Sequence, residues 1–203
     1  MRTDHPIWKC RRTPGPAAPQ ITPQQRATMA PVRRDLLLVR HAKSAWDDSS
    51  LADHDRPLAP RGEKALIRLR EYLIQAGHLP DVVLCSSSRR TADTLEGIRV
   101  ALPKRARIEL ADELYLATAD TILTRLHRLD AKVRCVMLVG HNPGIEDLAS
   151  LLTGSGDARM REQLAVKFPT GTLVALSFDG AWADLGAGVA RIDAMFMARP
   201  PRP

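Results

Sequence analysis

The sequence predicts an α/β fold, a three-layer sandwich with a mostly parallel central sheet and helices on both faces. Strands are predicted at Leu36 to Val39, Val82 to Cys85, Arg107 to Leu110, Cys135 to Val139, Leu173 to Phe178 and Val189 to Ile192, of which the first, second, fourth and fifth are short apolar runs. Such continuous runs read as strands of a buried sheet. Between them apolar residues repeat at helical spacing: Leu66, Leu69 and Leu73, then Ile122, Leu126 and Leu129, then Ile145, Leu148 and Leu152. Each set makes one buried stripe on a helix. The alternation of the two patterns is what a sheet with crossover helices requires.

Along the chain, residues 1 to 33 contain Pro6, Pro14, Pro16, Pro19, Pro23 and Pro31 among polar and basic side chains. That composition buries too little apolar area to offset its ordering entropy, so a disordered, basic N-terminal tail is expected. The compact domain should span residues 34 to 198. Met29 stands at the composition break, which raises the expectation that translation starts there. Gly77 sits where the first helix should stop in the left-handed conformation, and Pro143-Gly144 should open the helix after His141. Arg199 to Pro203 are proline-rich and expected to fray. No internal repeat is present.

Composition narrows the function. With 203 residues and 44% apolar side chains, the chain can build one sizeable core. Arg2, Lys9, Arg11, Arg12 and Arg26 against Asp4 place more than half of the net charge of +7 in the first 28 residues. The body is thus nearly balanced, and at 4% aromatics it offers few stacking platforms, so no nucleic-acid partner is expected. No apolar stretch approaches the ~20 residues that span a bilayer, so no membrane partner is expected either. Cys10, Cys85 and Cys135 are odd in number and lack C-x-x-C spacing, which indicates neither a disulfide framework nor a zinc site. A cytoplasmic location follows as the expectation. The Arg11-Arg12 pair is followed by the proline-rich Thr13 to Pro23 where an export signal needs an apolar segment.

Three polar motifs directly follow predicted strands: Arg40-His41, Ser86-Ser87-Ser88-Arg89-Arg90 and Gly140-His141-Asn142. Ligands of parallel sheets bind at the strands' carboxyl ends, so two histidines and at least two arginines should converge there. Arginine forks match phosphate oxygens, and a histidine nitrogen among them can attack phosphorus. Phosphoryl transfer is the predicted chemistry. Cys85 does not head a cysteine-phosphatase loop, because Cys-x5-Arg would need arginine where Thr91 stands. It reads as a buried strand residue.

The segment Leu38 to Trp46, reading LVRHAKSAW, resembles the first signature of the histidine phosphatase superfamily. Arg56-Pro57-Leu58-Ala59-Pro60-Arg61-Gly62 is similar to the segment that opens that family's first helix. Ser86-x3-Arg90-x3-Thr94 is similar to its second arginine motif, and Leu138 to Gly144 to its second histidine motif. The order of the four matches, across most of residues 35 to 178, is specific where a lone Arg-His pair is not. The resemblance implies a phosphoglycerate mutase-like fold and a catalytic set of His41, Arg40, Arg90 and His141. His41 would attack phosphorus and become a transient phosphohistidine while Arg40, Arg90 and His141 hold the phosphoryl oxygens. It implies secondary hydrogen bonds from Ser44 and Ser86, which as bland alternatives could be helix caps, and no metal or other cofactor. Glu113, after the third strand, is the positional candidate for a general acid.

Ala42 after His41, the Lys43-Ser44-Ala45-Trp46 continuation and the short intervening stretches resemble the SixA-type phosphohistidine phosphatases. That implies a phosphohistidine-bearing signalling or phosphotransfer protein as partner. The alternatives are a phosphomonoesterase or phosphomutase acting on a small phosphate ester, and an inactive phosphate-binding module. His41 should be neutral, whereas His141 would work better as imidazolium. Arg89 should face solvent, and His5, His54, His78 and His127 should lie on the surface.

Overall fold

Leu36, Leu37, Leu38 and Val39 are all fully buried, because β1 (Arg33–Arg40) runs through the middle of the sheet with a helical layer on either side. The computed structural model describes residues 32–198. The expectations of a disordered tail, of a start at Met29 and of a frayed carboxyl end fall on residues outside this range. The remaining strands are β2 (Val82–Ser86), β3 (Arg107–Ala111), β4 (Cys135–Gly140), β5 (Thr153–Gly156), β6 (Thr172–Asp179) and β7 (Ala190–Met197). They form one seven-stranded sheet in the order β3-β2-β4-β1-β6-β7-β5. Among the described strands β6 alone runs against the others. This is the mostly parallel sheet the sequence predicts.

The helices are α1 (Pro60–Ala76), α2 (Arg89–Ile98), α3 (Ala119–His127), α4 (Gly144–Leu152) and α5 (Ala158–Val166). The pleat of β1 sends Leu37 and Val39 to one face, where they pack with Leu66, Leu69 and Leu73 of α1 and Leu95 and Ile98 of α2. Leu36 and Leu38 go to the other face, against Ile122 and Leu126 of α3, Ile145, Leu148 and Leu152 of α4 and Leu164 of α5. Alternate side chains of β1, β2 and β4 thus serve two separate cores, which is why Leu36 to Val39, Val82 to Cys85 and Val136 to Val139 are continuous apolar runs. Gly77 ends α1 with φ of 67° and donates its N–H to Leu73 O at 3.2 Å.

Several boundaries differ from the sequence expectation. β1 starts at Arg33, inside the predicted tail, because Arg34 is buried with its guanidinium donating to the carbonyls of Val32, Ala131 and Gly180. Two helices and one strand carry no apolar stripe and went unpredicted. α2 buries Arg90, Thr91 and Thr94 beside Leu95 and Ile98, a mostly polar inner face. α5 buries only Leu164, and β5 is an edge strand whose Thr-Gly-Ser-Gly sequence reads as a turn. No helix among the described residues is long and apolar enough to cross a membrane.

The carboxyl ends of β1, β2 and β4 lie side by side at one edge of the sandwich, and the loops there are held by close backbone packing. A Cβ on Gly144 would stand 1.9 Å from the Ala117 carbonyl oxygen, so the start of α4 seats directly on the loop after β3. Gly144→Ala should therefore lower stability by about 1–3 kcal/mol through forced overpacking, read as a lower urea midpoint at unchanged slope.

Candidate active site

The parallel pairing of β1 with β4 places Arg40 opposite Gly140, and the chain continues this register for one more bond, His41 N–H to Gly140 O at 3.1 Å. The two histidine motifs are thereby set side by side, with ring centroids 5.1 Å apart and planes tilted by 55°. His41 Nδ1 lies 2.7 Å from the carbonyl oxygen of Ala42. A carbonyl only accepts, so Nδ1 carries the proton and Nε2 keeps its lone pair. The Ala42 N–H in turn donates to Thr94 Oγ1 at 3.0 Å, and that hydroxyl donates to Arg90 O at 2.6 Å. One buried threonine of α2 thus links the backbone beside His41 to the backbone of Arg90.

His141 Nε2 is 2.8 Å from Ser86 Oγ and 3.4 Å from Ser88 Oγ, while its buried Nδ1 has no hydrogen-bond partner among the described residues. Arg40 donates through Nη1 to Phe168 O at 2.6 Å, an oxygen that also accepts from Asn142 Nδ2 at 3.1 Å. Arg90 is buried and grips Asp53, with Nη2 on Oδ2 at 2.9 Å and Nη1 on the backbone oxygen. Its neighbour Arg89 has a side chain 57% exposed, against 5% for Arg90. Arg40, His41, Arg90 and His141 therefore meet at one edge.

Other expected residues sit differently. Ser44 is buried, but its hydroxyl accepts from Arg56 Nη2 at 3.3 Å, so it supports the loop. Ser86 turns its hydroxyl to His141. Glu113 has a side chain 51% exposed and pairs with Arg125 Nε at 3.4 Å, with no hydrogen bond to His41, Arg40, Arg90 or His141 among the described residues. His54 is not a plain surface residue: Nε2 is 3.1 Å from Ser87 Oγ, and its ring meets Tyr115 edge-on at 5.0 Å. His127 donates through Nε2 to Leu185 O at 2.7 Å, and His78 is half-buried beside Tyr72. His5 lies outside the described residues.

Asp53 and Tyr115 join the site without any motif to announce them, together with Arg56, the first residue of the segment that resembles the opening of the family's first helix. Asp53 Oδ1 accepts from Arg56 Nη1 at 3.0 Å, and Oδ2 accepts from the Tyr115 hydroxyl at 2.7 Å as well as from Arg90. The Tyr115 ring stands edge-on to His141 at 5.6 Å. The Asp-x-x-Arg spacing of Asp53 and Arg56 is the one sequence cue, and it describes any short-range ion pair.

Burial dominates the protonation states. It pushes His41 down to about 4, with Arg90 and Arg40 adding to the shift and the Ala42 carbonyl opposing it. It pushes His141 down to about 3, helped by His41 and Arg90. Both rings are neutral at neutral pH, so the imidazolium expected at His141 is not a resident charge of the protein. A phosphoryl dianion entering among these groups would supply the opposite charge that favours it. Burial also pushes the Cys85 thiol up to about 12.

Residues 36–115 match the family model of the histidine phosphatase superfamily (branch 1). An uncharacterized protein of Mycobacterium tuberculosis is 39% identical over 162 residues, which cover 76% of this chain and 96% of that protein. The chain belongs to the histidine phosphatase superfamily. A putative phosphohistidine phosphatase SixA from Nakamurella multipartitia matches with TM-score 0.70 and 33% identity, covering 83% of this chain and 98% of its own. A putative SixA from Agrobacterium tumefaciens matches at 0.67 and 28% identity, covering 83% and 99%. The three-layer sandwich is accordingly the phosphoglycerate mutase-like fold of this superfamily.

The two depressed histidines make stability depend on pH. The unfolded chain binds more protons than the folded one between the ordinary histidine value of 6.5 and about 4, so stability is full above that window and lost as pH falls through it. The urea midpoint should drop between about pH 7 and pH 5, and less in His41→Asn. An unchanged midpoint would contradict the burial argument.

Proposed function

We propose that this protein is a metal-independent cytoplasmic phosphatase that works through a phosphohistidine intermediate on His41. Its substrate in this reading is phosphohistidine on a signalling or phosphotransfer protein. The Nε2 lone pair of His41 attacks phosphorus, and the bond from phosphorus to the substrate's imidazole breaks. A substrate ring already protonated on its other nitrogen leaves neutral. Water then attacks phosphorus, the bond to Nε2 breaks, and phosphate departs with both protons of that water while His41 returns neutral. Arg40, Arg90 and His141 stabilise charge on the equatorial oxygens, which is most of what this reaction demands of a protein.

The state of the carboxylates carries the choice of substrate. A phosphate ester needs a proton on its leaving oxygen, usually from a carboxylic acid. Asp53 borders the site, but the Tyr115 hydroxyl, with Arg90 and Arg56, holds its carboxyl below the usual range. Glu113 is turned to Arg125. Neither is placed as a ready proton donor, and an imidazole leaving group requires none. The names of the two SixA structures point the same way.

The test is turnover on a phosphohistidine protein and on a panel of phosphate esters, in chelator. Phosphohistidine should be preferred, and His41→Ala should lose on the order of 10³-fold or more in kcat. Labelled phosphate should be trapped on the wild-type protein in acid-labile, base-stable form. A strong preference for one sugar or nucleotide phosphate would establish the small-ester alternative instead. Glu113→Gln should leave phosphohistidine turnover within about twofold. A large loss with a normal fold would restore it as the acid.

A further inference from the structure

The loops that follow β1, β2 and β3 converge on a single side chain. Asp53 lies in a 3-10 turn (Asp53–Asp55) of the long connection between β1 and α1. Its carboxylate accepts from Arg56 on the same loop, from Arg90 at the start of α2, and from the Tyr115 hydroxyl just past β3. Its backbone oxygen takes the second Nη of Arg90. The next residue repeats the pattern, since His54 Nε2 meets Ser87 Oγ at 3.1 Å and its ring meets Tyr115. Tyr115 then borders His141 of the fourth loop.

The way Arg90 uses its donors is informative. Asp53 takes Nη1 and Nη2, the outer end of the fork. The Nε–H edge has no hydrogen-bond partner among the described residues, and a guanidinium can bind an anion with two parallel bonds along that edge. Arg90 is close enough to His41 and His141 to help depress both rings. A guanidinium with four rotatable bonds needs fixing before it can meet a transferring phosphoryl group without reorganisation. Asp53 supplies that fixing at the outer end of the fork and leaves the Nε–H unengaged.

We infer that Asp53 is a positioning residue: it clamps the Arg90 fork so that the free Nε edge faces the phosphoryl group, with Tyr115 and Arg56 holding the carboxylate in turn. This rests on the reading of Arg90 as a phosphoryl ligand. Asp53 itself does not touch the reacting atoms. Removing it has two opposed electrostatic consequences, loss of the clamp and loss of a negative charge near a dianionic substrate. Binding of the ground state should therefore change little while the transition state loses its donor, which is a fall in kcat rather than a rise in KM.

The experiment is a cycle of Asp53→Asn, Arg90→Ala and the double variant, measuring kcat and KM on phosphohistidine protein and dissociation constants for inorganic phosphate and vanadate. Asp53→Asn keeps the shape of the side chain, and thermal melting checks the fold. It should lower kcat about 10–100-fold, the scale of a misplaced catalytic group. Vanadate should bind more weakly, with KM and phosphate affinity within about threefold of wild type. In the Arg90→Ala background Asp53→Asn should cost almost nothing more, because its target is gone. Tyr115→Phe, which removes one hydroxyl, should show the same split at smaller size and keeps the question decidable if Asp53→Asn misfolds.

Full activity in Asp53→Asn beside an impaired Arg90→Ala would overturn the inference and leave the role of Arg90 intact. Tighter phosphate binding with raised kcat/KM would also overturn it, showing that Asp53 competes for the fork. Additive losses in the double variant would overturn it as well. Wild-type behaviour of Arg90→Ala would instead remove the reading on which the inference stands.

Discussion

The parallel pairing of β1 with β4 is the constraint from which the site follows. It aligns Leu38 with Leu138 and Arg40 with Gly140, so that the strands release their polar motifs at the same height. Parallel strands put equivalent ends at one edge, and a shift of one residue would send every side chain of the strand to the opposite core. The apolar runs thus lock the register for reasons of packing, and the register delivers His41 next to His141. Catalytic geometry here is a by-product of filling two hydrophobic layers.

Burial works twice more at this edge. It holds the histidines neutral among arginines, as the proposed nucleophile requires, and leaves the positive charge at this edge on guanidinium groups. The same dry surroundings make every remaining donor matter. Phe168 O, shared by Arg40 and Asn142, and Thr94 Oγ1, shared by Ala42 and Arg90, fix backbone and side chain together. Such shared hydrogen-bonding atoms place the site rigidly, with little need for rearrangement.

The sequence made the central strands and three helices legible because each shows a period: continuous apolar runs for β1, β2, β4 and β6, and leucine stripes for α1, α3 and α4. It was silent where burial is polar. α2 hides Thr91 and Thr94, side chains that a hydrophobic pattern cannot flag, and they are there to bond backbone groups of the site loops. Arg40, His41, Arg90 and His141 were readable as motifs at strand ends. Asp53 and Tyr115 were not, because they lie 62 residues apart and meet only after three loops are folded over the sheet edge. The partner of Ser44 was hidden for a related reason: Arg56 comes from the far end of the same loop.

Cys85 stands one residue before Ser86, buried and with its thiol pushed up to about 12. Oxidants attack thiolates that are accessible, and this sulfur is neither ionised nor open to solvent. In the proposed mechanism the nucleophile is a ring nitrogen, and the buried, protonated Cys85 offers peroxide no thiolate. On that mechanism dephosphorylation would continue through oxidative stress that silences phosphatases built on a cysteine.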